Sequence, residues 1–458
     1  MSKIIFFILC LMFTSELQAQ TPIQQVNMAL ETLHKDKNYT QANISFTLID
    51  QQSGKILYDK NKDIPLAPAS TLKTFTTATA LLVLGENFCF QTKVTFKGLI
   101  QKHTAIGELI IYGSGDPSLG SDRFNDTKPE LIKKQISDGL KKLGIQQFKG
   151  KIRIDNSLFT DEAINTGWLD EDIGNYYGAG IYPLNWKENK FDIELTPTKN
   201  SFEVKSNSAG YNNNTNFCIE LTHKDSTTTE EAFAFVEKNK ACQYVIRGHL
   251  TNKEKSQSMQ LARLHPDLDF KTELETYLKK ELAFIPLDTS IQTKEINVTV
   301  LRSPPLSKLV YWCNQKSLNL YAEALCKTLA VKQFKQGNWT MGIASMVRYA
   351  KSKGINTSLI KLKDGCGLAP ENKITTGILA QLLQLYTTEK FFPTFYESLP
   401  SINGLNMKSG YIGGTRSYAG YITLKDGHKA CFAFIVHGYT CPPREVKLAM
   451  FRILDLLK

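Results

Sequence analysis

A-P-A-S-T-L-K, residues 67–73, is the most informative stretch of the chain. It leads into residues 71–84, in which apolar side chains recur at helical spacing before a glycine. We therefore expect Ser70 to open a buried helix, with Lys73 on the same face. A serine and a lysine in this arrangement can act as nucleophile and base, because burial and a second nearby cation both favour the neutral amine.

The same S-x-x-K pattern occurs again at residues 358–361, where it follows Gly354 in a predicted loop that runs into a strand. An isolated match of this kind is usually a turn or capping serine with a surface lysine. Residues 70–73 differ because two further polar groups follow in order. These are S-L-N at residues 317–319 and K-S-G at residues 408–410.

The K-S-G group lies on a strand pattern that ends at the glycine pair 413–414. Two more strand-like stretches follow at residues 417–424 and 429–436, which predicts a three-stranded antiparallel meander. The glycine of the group would leave the strand open to a substrate backbone, and its lysine and serine can hold a carboxylate. The alternative interpretation is an ordinary solvated edge strand.

These three groups resemble the motifs of serine peptidase family S13, the low-molecular-mass class C penicillin-binding proteins of the penicillin-binding protein 4 type. Five further stretches carry the resemblance: G-S-G-D-P at 113–117, I-D-N-S-L-F at 154–159, Y-G-A at 177–179, D-G-C-G-L at 364–368 and G-T-R-S-Y-A-G-Y at 414–421. The resemblance spans nearly the whole chain after its first 20 residues. It implies a D-alanyl-D-alanine carboxypeptidase and endopeptidase that forms an acyl-enzyme and that penicillins inhibit covalently.

The resemblance also implies catalytic roles, residue by residue. Ser70 would be the nucleophile and Lys73 its general base. Ser317 and Lys408 would pass a proton to the leaving amine, while the Asn319 amide would hold the substrate's peptide backbone. Backbone N–H groups would form the oxyanion hole, whose donors typically contribute about 100-fold or more to the rate.

The resemblance likewise implies which residues line the substrate: Ser409, Gly410, Tyr411, Asp155 and Phe159. The oxyanion hole would use the backbone N–H groups of Ser70 and Tyr411. In many relatives a Ser-Arg pair reads a diamino-acid side chain of the wall peptide, and Ala369-Pro370 stands there in this chain. Cys366 replaces the serine of the usual D-G-S-G-L stretch.

Motif spacing indicates a large insertion. The first gap, from Ser70 to Ser317, is 247 residues (317 − 70), whereas the second, to Lys408, is 91 (408 − 317). The resemblance implies a mixed α/β (α+β) fold of the penicillin-binding-protein and serine β-lactamase type, in which helices cover both faces of an antiparallel sheet. We expect a catalytic domain at 20–92 and 286–458, an inserted domain at 93–185 and 251–285, and a second inserted domain at 186–250.

Length and the N-terminal residues are consistent with this organisation. The 458 residues correspond to about three domains. Residues 1–19 have the features of a secretory signal, with Lys3 before the apolar run 4–13 and Ala19 at the end. That run is too short to span a bilayer. We therefore expect an exported, periplasmic or cell-wall-associated protein without stable membrane insertion.

The net charge of +11 could draw the protein to anionic cell wall or lipid head groups, although a scattered basic surface explains it more simply. The chain has no dense basic run with interleaved aromatic residues, so nucleic acid is not an expected partner. The expected partners are peptidoglycan stem peptides and β-lactams. No C-x-x-C pair occurs, and we expect neither a cofactor nor a metal.

Eight cysteines follow the signal, which permits disulfides in an oxidising compartment. Cys218 and Cys242 flank a polar loop of the insertion and form the best candidate pair. The alternative is two unpaired strand cysteines.

Three functional classes remain open from the sequence. The first is hydrolysis of D-alanyl wall peptides. The second is a β-lactamase, which needs fast deacylation, and the chain lacks the E-x-x-L-N pattern of one major class. The third is a silent wall-binding scaffold, although no motif residue has been lost.

Overall fold

The computed structural model describes residues 21–198, 202–206, 208, 217–223, 231–237, 242–250, 256–289, 291 and 293–458. The signal predicted at residues 1–19 lies outside these ranges. Within them, every helix is too short or too polar to cross a membrane.

Seventeen strands lie within the described residues. In chain order the strands are β1 (Asn43–Asp50), β2 (Ile56–Lys60), β3 (Gln91–Gln101), β4 (Thr104–Tyr112), β5 (Gln147–Asp155), β6 (Lys190–Pro197), β7 (Phe202–Ser206), β8 (Phe217–His223), β9 (Glu231–Val236), β10 (Tyr244–Leu250), β11 (Gln257–Ala262), β12 (Ile285–Pro286), β13 (Ile296–Arg302), β14 (Ser401–Ile402), β15 (Leu405–Ile412), β16 (Thr415–Thr423) and β17 (Lys429–His437).

The α-helices are α1 (Pro22–Lys35), α2 (Lys73–Leu84), α3 (Pro129–Lys142), α4 (Asp170–Ile173), α5 (Pro266–Glu281), α6 (Leu306–Gln315), α7 (Asn319–Phe334), α8 (Trp339–Ser352), α9 (Thr376–Tyr386), α10 (Phe392–Ser398) and α11 (Pro443–Asp455).

A six-stranded antiparallel sheet joins the two ends of the chain in the order β14-β15-β16-β17-β1-β2. Side chains alternate across it, as the period of two requires. Phe432 and Phe434 face α1 and α11, whereas Cys431 and Ala433 face α2 and α9. Helices on both faces of an antiparallel sheet confirm the predicted fold class.

Helices α2 and α7 lie in the centre of the larger apolar core. Residues on nearly every side of both helices are buried, which is typical of a helix in the centre of a core. They pack against α6, α8 and α9. The two helices therefore begin deep inside the molecule, and the first two motifs lie where these helices begin.

The insertion contributes three further sheets. A five-stranded sheet has the order β12-β5-β4-β3-β13, with parallel pairs between β4 and β5 and between β5 and β12. Helices α3 and α5 pack in its core. Two three-stranded sheets, β11-β6-β7 and β8-β10-β9, contribute to one apolar cluster.

Strand pairing suggests a revision of our predicted domain division. Strand β13, which we assigned to the catalytic domain, is antiparallel to β3 of the inserted sheet. Strand β11, which we assigned to the first inserted domain, pairs with β6. We propose that the chain returns to the catalytic domain only after Arg302 and that residues 257–262 belong to the second inserted domain.

The predicted disulfide between Cys218 and Cys242 is confirmed. It joins Cys218 of β8 to Cys242, which lies two residues before the parallel strand β10, with a Cα–Cα distance of 5.7 Å. Its cross-link spans 24 positions of the sequence.

Replacing both of these cysteines by serine is expected to lower the free energy of unfolding of β8–β10 by about 3 kcal/mol, because the open chain gains loop entropy. Amide hydrogen exchange of β10 would measure the change. Cys89→Ser is the control, since this half-buried thiol is free. Equal exchange rates in the double variant and the wild type would contradict the prediction.

Candidate active site

Ser70 lies on a 3-10 turn, Ala69–Leu72, and α2 begins only at Lys73. Ser70 therefore lies on the turn just before the buried helix that we predicted it to open. Side chains three positions apart eclipse each other on a 3-10 turn, so the serine and the lysine come together directly. Lys73 Nζ lies 2.9 Å from Ser70 Oγ.

The Lys73 amine is fully buried and has two further partners. Nζ donates to Asn319 Oδ1 at 2.6 Å and to the Cys366 carbonyl oxygen at 2.8 Å. A neutral amine has two N–H donors and one lone pair. Were both donors of a neutral Lys73 amine directed at these oxygens, its lone pair would face Ser70, which is the arrangement that a general base requires.

The second motif lies at the junction between α6 and α7. Ser317 has a left-handed backbone with φ of 56°, and Asn319 is the first residue of α7. We predicted that the Asn319 amide holds the substrate. That role remains a prediction. In this structure the Asn319 Oδ1 accepts from Lys73 and its Nδ2 donates to the Tyr177 carbonyl oxygen at 2.7 Å, so the amide orients the Lys73 amine.

Lys408 lies on β15 and is 1% exposed. Its Nζ donates to Ser317 Oγ and to the Ser409 carbonyl oxygen, each at 2.9 Å. Burial, and then repulsion from Lys73, lower the pKa of Lys408 to about 7. The second and third motifs therefore meet through the hydrogen bond between Ser317 and Lys408, a lysine whose pKa lies near neutral pH.

Gly410 brings β15 against the turn that carries Ser70. A Cβ at this position would lie 2.9 Å from the Ser70 nitrogen and 2.3 Å from Ser417 Oγ. The Ser417 hydroxyl in turn donates to the Pro68 carbonyl oxygen at 2.6 Å. The close approach involves the protein's own backbone, a reason for this glycine that differs from the open substrate face that we predicted.

The other residues predicted beside the substrate strand lie next to Lys408 and Gly410. Ser409 is half-buried, whereas the Tyr411 side chain is 54% exposed. The Arg416 guanidinium lies 5.6 Å from the centre of the Tyr411 ring.

The loop of residues 364–368 contacts the Lys73 amine. Gly367, with φ of 87°, passes so close to Ala69 that a Cβ would lie 1.9 Å from the Ala69 carbonyl oxygen. Cys366 bonds Lys73 through its backbone carbonyl oxygen. This explains how a cysteine can occupy the position where relatives have serine.

Glu323 anchors this loop, and the sequence analysis missed it. Its carboxylate accepts from the Gly365 N–H at 2.9 Å and from the Trp339 indole at 2.5 Å. Burial, and then repulsion from Asp364, raise the pKa of Glu323 to about 7. A glutamate within the otherwise apolar helix α7 was the signal that could have identified it, since buried carboxylates are rare.

Asp155 and Phe159 have contacts that explain them structurally. Asp155 accepts from Ser157 and from Arg153, which lowers the pKa of its carboxyl group, chiefly through the Ser157 hydroxyl. Phe159 packs in the core, where the Lys327 ammonium lies 5.1 Å from its ring centre. These contacts include none of the motif residues, so the predicted substrate role of the pair remains a prediction.

Comparisons with known proteins agree with the geometry. A family model described as the D-Ala-D-Ala carboxypeptidase 3 (S13) family matches residues 26–455. D-alanyl-D-alanine carboxypeptidase DacB of Haemophilus influenzae is 24% identical over 434 residues, which cover 89% of this chain and 88% of that protein. D-alanyl-D-alanine carboxypeptidase of Actinomadura sp. (strain R39) is 23% identical over 436 residues, covering 86% and 78%.

The crystal structure of penicillin binding protein 4 from Haemophilus influenzae has a similar fold. It matches with a TM-score of 0.76 at 22% sequence identity, covering 94% of this chain and 97% of that chain. The similarity therefore includes the inserted sheets as well as the six-stranded sheet.

Proposed function

The chain belongs to the D-Ala-D-Ala carboxypeptidase 3 (S13) family and is a serine-type peptidase, and we propose that it hydrolyses D-alanyl bonds of peptidoglycan stem peptides through an acyl-enzyme on Ser70. One observation carries the assignment of the nucleophile. The buried Lys73 amine has carbonyl acceptors for two N–H bonds and Ser70 Oγ at its remaining position.

Acylation would begin with transfer of the Ser70 proton to Lys73. Ser70 Oγ then bonds to the carbonyl carbon of the penultimate residue, and the backbone N–H groups of Ser70 and Tyr411 are the proposed oxyanion donors. As the C–N bond breaks, the leaving amine takes a proton from Ser317. The ammonium of Lys408 replaces that proton across the 2.9 Å hydrogen bond.

Deacylation would restore every group. Water adds to the ester and gives one proton to neutral Lys408. The Ser70 oxygen leaves and recovers its proton from the Lys73 ammonium, and the product carboxylic acid ionises in solvent. Each cycle thus consumes one water molecule and returns both lysines to their starting states.

This scheme predicts an alkaline fall in kcat/KM. Because the pKa of Lys408 is about 7, its ammonium is lost as pH rises through that value, and the proton donor is lost with it. Lys408→Arg should lower kcat/KM and shift this limb to higher pH, since a guanidinium stays protonated and gives up its proton to Ser317 only poorly. Rates measured between pH 5 and pH 10 would show the shift.

The control for this experiment is Lys429→Arg on the exposed start of β17. Its pH profile should overlie that of the wild type. An alkaline limb that is unchanged in Lys408→Arg would contradict the proposed proton donor.

Penicillins are proposed to acylate the same serine. A crystal structure of the Haemophilus influenzae penicillin binding protein 4 was determined with a bound β-lactam, and its fold matches this chain with a TM-score of 0.70. We also propose export, supported by the signal pattern at residues 1–19, so that the enzyme meets its substrate in the periplasm or cell wall.

The decisive test is digestion of purified peptidoglycan by the wild type and by Ser70→Ala. We expect the wild type to release D-alanine from pentapeptides. Cleavage of D-alanyl cross-links as well would show endopeptidase activity. Identical fragments from both proteins would refute the assignment. Penicillin hydrolysis faster than D-Ala-D-Ala peptide hydrolysis would indicate a β-lactamase, and absence of any penicillin adduct would indicate a silent scaffold.

A further inference from the structure

A strained turn lies between the inserted sheets and the second motif. Lys187, Glu188 and Asn189 all have left-handed backbones, with φ of 53°, 55° and 48°. Consecutive non-glycine residues in this region are unfavourable and persist only where surrounding contacts hold them. Asn189 supplies such contacts, because its Oδ1 accepts from the Trp186 N–H at 2.9 Å and its Nδ2 donates to the Gly180 carbonyl oxygen at 2.8 Å.

The turn directs the Glu188 carboxylate into a buried position. The residue is 8% exposed, and its Oε1 accepts three hydrogen bonds. Ser121 Oγ at 2.8 Å and Arg123 Nε at 2.6 Å come from the inserted region. The third donor is the Tyr321 hydroxyl at 2.9 Å, which belongs to α7.

Tyr321 is only two positions after Asn319 and is almost completely buried. The Asn319 amide is itself bonded to the Tyr177 carbonyl oxygen, eleven positions before Glu188. Glu188, Tyr177, Asn319 and Tyr321 also line one small cavity. The first turn of α7 is therefore fixed at two points to residues 177–188, and Asn319 Oδ1 bonds Lys73 from this fixed turn.

We propose that Glu188 is a positioning residue for the active site. Through the Tyr321 hydroxyl it fixes the start of α7, so that Asn319 keeps the Lys73 amine directed at Ser70. The strained turn places the Glu188 carboxylate, which belongs to the inserted region, against helix α7. This inference rests on the proposed function of Ser70 as the acylated nucleophile.

The test measures the second-order rate constant of acylation by a fluorescent penicillin, together with the melting temperature. Tyr321→Phe removes only the hydroxyl, and we expect it to slow acylation about 10-fold, because small displacements of a catalytic group are costly. Glu188→Ala should slow acylation at least as much. Glu188→Gln should restore most of the rate, since its amide oxygen can still accept from Tyr321.

Tyr421→Phe is the matched control. It also removes one buried tyrosine hydroxyl, which donates to the Leu383 carbonyl oxygen at 2.9 Å, away from the motifs. We expect similar melting temperatures for the two tyrosine variants and slow acylation only for Tyr321→Phe.

The inference would be overturned if Tyr321→Phe were acylated at the wild-type rate, or if acylation slowed equally in both tyrosine variants. Ser70 would remain the proposed nucleophile in either case. If Glu188→Ala does not fold, the comparison of the two tyrosine variants still tests the inference. A wild-type protein that penicillin does not acylate at all would overturn the proposed function, and this inference with it.

Discussion

Replacing Ser70 by alanine is expected to abolish covalent labelling by penicillin and to lower peptidase turnover by at least about 10⁴-fold. The hydroxyl is the group that would form the acyl bond, and the structure places the Lys73 amine 2.9 Å from it. The variant should fold normally, because Ser70 is only half-buried and alanine fits the 3-10 turn. Gel fluorescence with a labelled penicillin and release of D-alanine from a D-Ala-D-Ala peptide measure the two effects.

Ser358→Ala is the matched control, since Ser358 begins the other S-x-x-K match of the chain. This serine is exposed, and its backbone N–H donates to Asn356 Oδ1 in a turn. The control variant should label and turn over as the wild type does. Residual labelling of Ser70→Ala at the wild-type rate would show that another residue is the nucleophile.

The meander of β15, β16 and β17 was predictable because its signals are local. Short stretches rich in apolar and aromatic residues identify each strand, and the glycine-containing turns between them set where pairing starts. The pairing of β17 with β1 was not predictable in this way. Phe434 lies opposite Phe46, nearly the whole chain away, and neither strand carries a pattern that names its partner.

The same limit explains the predicted domain division. Strand β13 reads as an ordinary strand, and its partner β3 precedes it by about 200 positions. Motif spacing and the family resemblance, on which the predicted boundary rested, carry no information on that pairing. Strand partners far apart in the chain are fixed by tertiary packing and leave little trace in local sequence.

Side chains of the site were largely predictable, whereas its backbone contributions were not. The three motifs gave Ser70, Lys73 and Lys408 because their chemistry restricts the residue type. The carbonyl oxygens of Cys366 and Tyr177 also position the site. A carbonyl oxygen is present at every residue, so its use leaves no signature in the residue type.

Lys73→Met is expected to lower the acylation rate constant about 10³-fold, within the range that a general base contributes. Methionine has nearly the length of lysine but cannot accept a proton, and it leaves the Cys366 carbonyl oxygen without its partner. Initial binding of the β-lactam should change little, because the buried amine makes its hydrogen bonds to groups of the protein. Stopped-flow acylation over a range of penicillin concentrations separates the binding constant from the rate constant.

The matched control is Lys361→Met, the lysine of the second S-x-x-K match, which is exposed to solvent. It should leave both constants unchanged. Suppose instead that folded Lys73→Met were acylated within about threefold of the wild-type rate, well below what loss of a general base costs. The Ser70 proton would then have another acceptor, and the hydrogen bonds that converge on Lys73 would serve only to stabilise the fold.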